Sequence, residues 1–171
     1  EYDMLKKSVA LLAAGSMLTF SSLVALADEA PLSVSVKRLS LESAQRVAEA
    51  TIAECRNQGY QVSVTVVDRN GIPQVMMRDT LGPPVSVAIS EDKAYTSANF
   101  TAPSGGLERM KGSPLYYRDG LTMTAGAVVI EAGGQVYGAV GVSGAPGGDI
   151  DESCAKAGVA AIAEDLELGG F

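Results

Sequence analysis

Two turn signals constrain the fold of this chain more than any other feature. Asn70-Gly71 and Gly133-Gly134 each separate two short runs of apolar and β-branched residues. Such pairs supply the positive φ angles of two-residue hairpins, so each predicts two antiparallel neighbouring strands rather than a doubly wound parallel sheet. The four predicted strands are residues 62–66, 72–78, 127–131 and 136–142.

Helical periodicity begins at residue 41, after Ser40 as the predicted N-cap, and stops at Gly59. The predicted helices are residues 41–58, 85–100 and 150–166, and a further short strand is predicted at residues 121–123. Helices before, within and after an antiparallel sheet indicate the α+β class.

The chain ends in a strand that leads through a glycine-rich loop into the last helix, over residues 138–152. Glycines in this loop permit close approach of the backbone to a ligand. Asp149 is the predicted N-cap of the helix, and Glu152, three residues later, completes a capping box. A loop of this form can hold phosphate, but the neighbouring acidic residues oppose an anion there.

Together with residues 64–71 and 93–104, this closing segment resembles the GlcG/HbpS family of small haem-binding proteins, which also includes the C-terminal domain of PduO-type proteins. The resemblance covers most of residues 39–166. It implies a five-stranded antiparallel sheet of profilin-like or PAS-like type with helices packed on its faces. It also implies assembly into homo-oligomers, as dimers or larger rings.

The N-terminal segment has the pattern of a secretory signal. Lys6 and Lys7 precede an apolar stretch at residues 9–26, which ends in small residues before Asp28. We expect cleavage after Ala27, with a membrane anchor as the alternative. Residues 28–38 are then a linker and residues 39–171 the domain, in a periplasmic or extracellular protein without stable membrane insertion after processing.

The chain is acidic, with 20 Asp and Glu against 13 Lys and Arg and a net charge of −7. No cluster of basic residues is present in the sequence, so nucleic acid and anionic membranes are not expected partners. Cys55 and Cys154 lie in the first and last predicted helices. Either a disulfide or two buried free thiols fits this placement.

The sequence contains no histidine, which removes the commonest general base and the commonest metal and haem ligand. No catalytic set is recognisable. A pocket between the second helix and the glycine-rich loop is the remaining hypothesis. Its candidate ligand-binding residues are Lys93, Thr96, Asn99, Phe100, Ser104, Met110, Ser143 and Gly144. Core packing is the alternative for Tyr95 and Phe100, and solvent exposure is the alternative for Lys93 and Asn99.

The family resemblance implies haem, held through threonine or histidine in relatives. Thr96 and Ser104 are therefore the candidate iron ligands, with Met110, Tyr116 and Tyr117 as chemical alternatives. Because a hydroxyl is a poor ligand, we expect weak haem binding. The expected function is an exported haem-binding protein in sensing or uptake. The alternatives are a module that binds a small, glycolate-like carboxylate through Lys93 and the loop amides, and a haem-degrading enzyme.

Overall fold

The computed structural model describes residues 31–169, and the predicted leader at residues 1–27 lies outside them. The chain divides between Val34 and Ser35, and the domain is the second unit. Its α-helices are α1 (Leu41–Asn57), α2 (Ser86–Phe100) and α3 (Gly148–Gly169). Its strands are β1 (Ser63–Asp68), β2 (Pro73–Arg78), β3 (Ala127–Ala132) and β4 (Gln135–Ser143), and 3-10 helices span Ser104–Met110 and Pro114–Tyr117. No helix among the described residues is long and apolar enough to cross a membrane.

The strands form one antiparallel sheet in the order β2-β1-β4-β3. Both predicted hairpins and the α+β class are confirmed. The described sheet has four strands, so the prediction of five is wrong. The profilin-like or PAS-like type stays a prediction.

The segment predicted as the fifth strand, residues 121–123, forms no strand. The N–H of Leu121 donates to the carbonyl of Arg118 within a turn, and the N–H of Thr122 donates to the side-chain hydroxyl of Thr96. These backbone groups are engaged in local and side-chain hydrogen bonds, and so they are not available to a strand ladder.

The first face of the sheet is covered by α1 and α3, and it forms the main apolar core. Valines of β1 and β4, including Val64, Val66 and Val140, are fully buried there. A disulfide joins Cys55 of α1 to Cys154 of α3 across this layer, with the Cα atoms 5.4 Å apart. The structure thus resolves the alternatives that the sequence left open in favour of the bond.

The second face of the sheet is covered by α2, which lies unusually close to β4. A Cβ built on Gly141 would lie 2.2 Å from the carbonyl oxygen of Ser90. Hydroxyl pairs connect the layers, because Thr65 bonds Ser90 and Ser63 bonds Ser86. The contact between α2 and the sheet is therefore made largely by small and hydroxyl side chains.

The last helix begins two residues earlier than the predicted capping box requires. Gly148 is its first residue and Asp149 already lies in its first turn, so the prediction of Asp149 as N-cap is wrong. The N–H groups of Ile150 and Asp151 donate to the carbonyl of Gly147. Because backbone hydrogen bonds already form this turn, a side-chain cap is not required.

Candidate functional site

The space between α2 and the glycine-rich loop, where the sequence predicts a pocket, contains a buried ion pair. The ammonium of Lys93 lies 3.0 Å from the carboxylate of Asp151 and donates to the carbonyl of Val142 at 3.1 Å. The second oxygen of Asp151 accepts from the N–H of Ala145 in the loop. Both side chains are almost fully buried, with 6% and 4% exposed. Lys93 therefore joins α2, β4 and α3 inside the domain.

The electrostatics of this pair are set mainly by its burial. Burial raises the pKa of the Asp151 carboxyl above its ordinary value, and the ammonium of Lys93 opposes this shift. A carboxylate ligand from solution would have to compete with Asp151 for the ammonium of Lys93.

The two hydroxyls proposed as iron ligands are also buried and hydrogen-bonded. Thr96 donates to the carbonyl of Asp92 and accepts from the N–H of Thr122. Ser104 donates to the carbonyl of Thr124 and accepts from the N–H of Ala127. Each hydroxyl anchors the loop before β3, and neither lines a cavity described below.

A cavity next to α2 lies on the opposite, outward side of this helix. It has a volume of about 540 Å³ and is enclosed by α2 and the segment after the second 3-10 helix. Its lining residues are Glu91, Asp92, Tyr95, Asn99, Phe100, Leu115, Arg118, Asp119, Gly120 and Leu121. Of the predicted site residues, Asn99 and Phe100 belong to this lining.

One residue of this lining, Tyr95, packs against the first hairpin. A Cβ built on Gly71 would lie 2.6 Å from the ring of Tyr95, so the ring packs directly against the turn. The side chain of Asn99 donates to the carbonyl of Tyr95. Tyr95 remains 38% exposed, and its phenol is a group of the lining that can bind iron.

The cavity combines apolar side chains with both signs of charge. Tyr95, Phe100, Leu115 and Leu121 supply apolar and aromatic surface, and Arg118 supplies a guanidinium. Three carboxylates complete the lining, and burial raises the pKa of one of them, Asp92. This arrangement suits a ligand with a large apolar body and an acidic group that can reach Arg118.

The remaining predicted residues are dispersed. Met110 is half-buried at the end of the first 3-10 helix. Ser143 is buried at the end of β4, and Gly144 packs against Val62 at the start of β1. Tyr117 is 71% exposed and, with Leu115 and Arg118, lines a neighbouring hollow of about 510 Å³. No group of three or more acidic or sulfur-containing side chains suited to a metal ion occurs in the described part of the chain.

The sequence analysis missed Tyr95, Leu115, Arg118 and Leu121 as lining residues. One signal was present: Glu91, Tyr95 and Asn99 recur every four residues and so share one face of α2. The predicted set on this helix, Lys93, Thr96, Asn99 and Phe100, also has near-helical spacing. Two of its members, Asn99 and Phe100, line this cavity.

Comparisons with known proteins identify relatives over most of this domain. Residues 39–160 match the family model described as "Haem degrading protein HbpS-like". A crystal structure of HbpS is 37% identical over 75% of this chain and 93% of that chain, with a TM-score of 0.71. A double mutant of HbpS from Streptomyces reticuli is 35% identical over 77% and 95%, with a TM-score of 0.70.

A structure described as a complex of PduOC with haem is 23% identical over 73% of this chain and 95% of that chain, with a TM-score of 0.67. At this identity the likeness concerns the fold. No curated protein matches the chain.

Proposed function

Since the chain belongs to the HbpS-like family of haem-degrading proteins, we propose that it binds haem in the cavity between α2 and the segment at residues 115–121. The observation that carries this proposal is the family match over residues 39–160. The lining of the cavity supports the location. Its volume of about 540 Å³ lies within the range of small-molecule and cofactor sites.

The residues present fit the chemistry of haem. The apolar and aromatic side chains would contact the porphyrin, and the guanidinium of Arg118 would pair with a propionate carboxylate. Tyr95 is the proposed iron ligand, because phenolate ligation of haem iron is established chemistry and this phenol lines the cavity. Thr96 and Ser104 are less suitable, since each would have to give up two hydrogen bonds.

Weak binding is expected. The chain has no histidine, which is the commonest haem ligand. Three carboxylates in the lining also oppose the negatively charged propionates. The carboxylate-binding alternative at Lys93 gains no support from the geometry, because Asp151 occupies the ammonium.

A haemin titration followed through the Soret band tests the proposal. We expect Tyr95→Phe to change the spectrum of bound haem, and Arg118→Gln to weaken binding about three- to tenfold. Lys111→Gln removes an exposed cation outside this cavity and serves as the matched control. Unchanged binding in both folded variants would contradict the location. A spectral change in Thr96→Ala or Ser104→Ala would instead place the iron at those hydroxyls.

Haem degradation is the second candidate, because the family description names it. The measurement is the decay of the Soret band of the haem-loaded protein with a chemical reductant and oxygen, with catalase added to remove peroxide. A decay no faster than that of free haemin would exclude this activity under the conditions used.

We also propose that the protein is exported, acts in haem sensing or uptake and forms homo-oligomers. Several large apolar side chains are exposed on the domain, among them Ile72, Met76, Leu81 and Val85, which supports self-association. Light scattering that reports only monomer at micromolar concentration would contradict the oligomer. Intact-mass measurement of the secreted protein would show whether the mature chain begins at Asp28.

A further inference from the structure

A second large cavity, of about 490 Å³, lies in the layer formed by α1 and α3, on the other face of the sheet from the proposed haem cavity. It is bounded by the segment before α1, by α1, by the beginning of β4 and by the last turns of α3. None of its lining residues belongs to the proposed haem cavity.

Three cations line this cavity, in a chain with a net charge of −7. They are Lys37, Arg38 and Arg46, against a single lining carboxylate, Asp165. A cavity with three cations and one carboxylate in its lining, in an acidic protein, favours an anionic ligand.

The protein's own carboxylates satisfy these cations only in part. Arg38 contacts Asp68 through Nε, and one terminal nitrogen of Arg46 contacts Asp165 and the carbonyl of Ala161. Because a guanidinium has five N–H donors, each arginine retains donors for a ligand. Lys37 has no ion-pair partner among residues 31–169.

A buried phenol is directed to the same cavity by an irregularity in the sheet. Ile130 pairs with Gly138 and Glu131 pairs with Val136, so Tyr137 is an extra residue in β4. Such a bulge changes the face to which a side chain points, and Tyr137 packs into the core under α1 and α3. The residue is only 5% exposed and lines the cavity. Its hydroxyl has no hydrogen-bond partner among the described residues, but it is not fully buried and so remains accessible from the cavity.

A hydroxyl that is accessible from the cavity and has no protein acceptor can donate a hydrogen bond to a ligand oxygen there. The apolar part of the lining comes from Ile162 and Leu166 of α3, and Ser43 and Gly169 complete it. An adjoining hollow of about 180 Å³ shares Lys37, Tyr137 and Leu166 and extends the available space. We propose that this second cavity binds an organic carboxylate with an apolar tail, its carboxylate held by Lys37, the two arginines and the Tyr137 hydroxyl.

Calorimetric titration of the full chain with hexanoate tests the proposal, with acetate and hexanol as matched probes. Acetate lacks four methylenes of the tail, and we expect it to bind at least a hundredfold more weakly. Hexanol lacks the carboxylate, and we expect no saturable binding. We expect Tyr137→Phe to weaken hexanoate binding about tenfold and Lys37→Gln about threefold. Lys111→Gln, an exposed cation outside the cavity, should leave the affinity unchanged.

The proposal is overturned if hexanoate does not bind saturably, if hexanol binds as well as hexanoate, or if Tyr137→Phe and Lys37→Gln bind hexanoate as the parent does. Tyr137→Phe keeps the ring and its packing, so its fold is expected to persist, and a thermal melt checks this. Haemin binding should be unchanged in both variants, because the two cavities share no residues. This result separates failure of the second site from failure of the haem site.

Discussion

Removing the ammonium of Lys93 should destabilise the domain far more than removing a surface ammonium. Lys93→Met keeps the length and most of the apolar stem of the side chain. It leaves Asp151 buried with a carboxylate exposed by only 4% and without its cation. The carbonyl of Val142 loses its donor as well.

Removing one partner of a buried ion pair lowers the free energy of unfolding by about 3–5 kcal/mol. For a domain of this size, that corresponds to a decrease in Tm of about 10–15 °C. The matched control is Lys156→Met, because Lys156 pairs with Glu152 at 2.8 Å but its side chain is 63% exposed. An exposed pair contributes about 0–1 kcal/mol, so the control should melt within a few degrees of the parent.

The pH dependence of the stability difference between Lys93→Met and the parent gives a second readout. Burial already raises the pKa of Asp151 above its ordinary value of 3.8, and loss of Lys93 raises this pKa further. At a pH between the pKa of Asp151 in the unfolded chain and its higher pKa in the folded domain, the folded state binds more protons than the unfolded state. The free energy of unfolding therefore falls as pH rises through this window. The destabilisation by Lys93→Met should therefore be smaller at about pH 5 than at about pH 7.

Urea unfolding followed by circular dichroism measures these values. The double variant Lys93→Met/Asp151→Leu should recover most of the stability, because it replaces the pair with apolar side chains. A loss for Lys93→Met as small as that for Lys156→Met, with no change between the two pH values, would refute the reasoning.

Three further predictions rest on the same structure. Reduction of the disulfide between Cys55 and Cys154, which are 99 residues apart, should lower the free energy of unfolding by about 2–5 kcal/mol in urea titrations, whereas the Cys55→Ala/Cys154→Ala variant should not respond to the reductant. Gly141→Ala should destabilise the domain by about 1–3 kcal/mol or prevent folding, because its Cβ would lie 2.2 Å from the Ser90 carbonyl, whereas Gly106→Ala has no contact closer than 3.9 Å and should melt like the parent. The hydrogen bond from Arg56 holds the pKa of Asp79 below its ordinary 3.8, so this pair stabilises the fold above that pH and its contribution is lost as pH falls through the lower, folded pKa. The free energy of unfolding of Arg56→Gln should accordingly lie below that of the parent near neutral pH, and the two values should converge at low pH. A difference in free energy that stays constant across this pH range would contradict the prediction.

Local sequence signals predicted most of the secondary structure. Both predicted hairpins are confirmed. Gly133 and Gly134 both have the positive φ of a two-residue turn, which these residues themselves specify. In the first hairpin Gly71 has a positive φ and its N–H donates to the carbonyl of Asp68, so the turn runs over Arg69 and Asn70. The first helix was predicted within one residue of its observed end, since its apolar face and its Ser40 cap are encoded locally. The family was also recognised from sequence segments alone.

Local signals failed where distant groups decide the structure. Residues 121–123 have strand-like composition, but the hydroxyl of Thr96, 26 residues away from Thr122, binds their backbone. Asp149 has the sequence of an N-cap, yet the loop before it closes the first turn through the carbonyl of Gly147. For residues 121–123 the deciding partner lies outside the local pattern, whereas for Asp149 a turn that begins two residues earlier in the same loop sets the start of the helix.

The functional face of α2 was decided by the tertiary structure. Its buried side carries Ser90, Lys93 and Thr96, which are polar, so hydrophobic periodicity could not identify it. Those side chains can be buried because Thr65, Asp151 and Thr122 supply partners from other elements. The sequence by itself determined the elements and the family. Which side of α2 is core and which is cavity depended on partners 25 to 58 residues away, and only the packed fold brings these together.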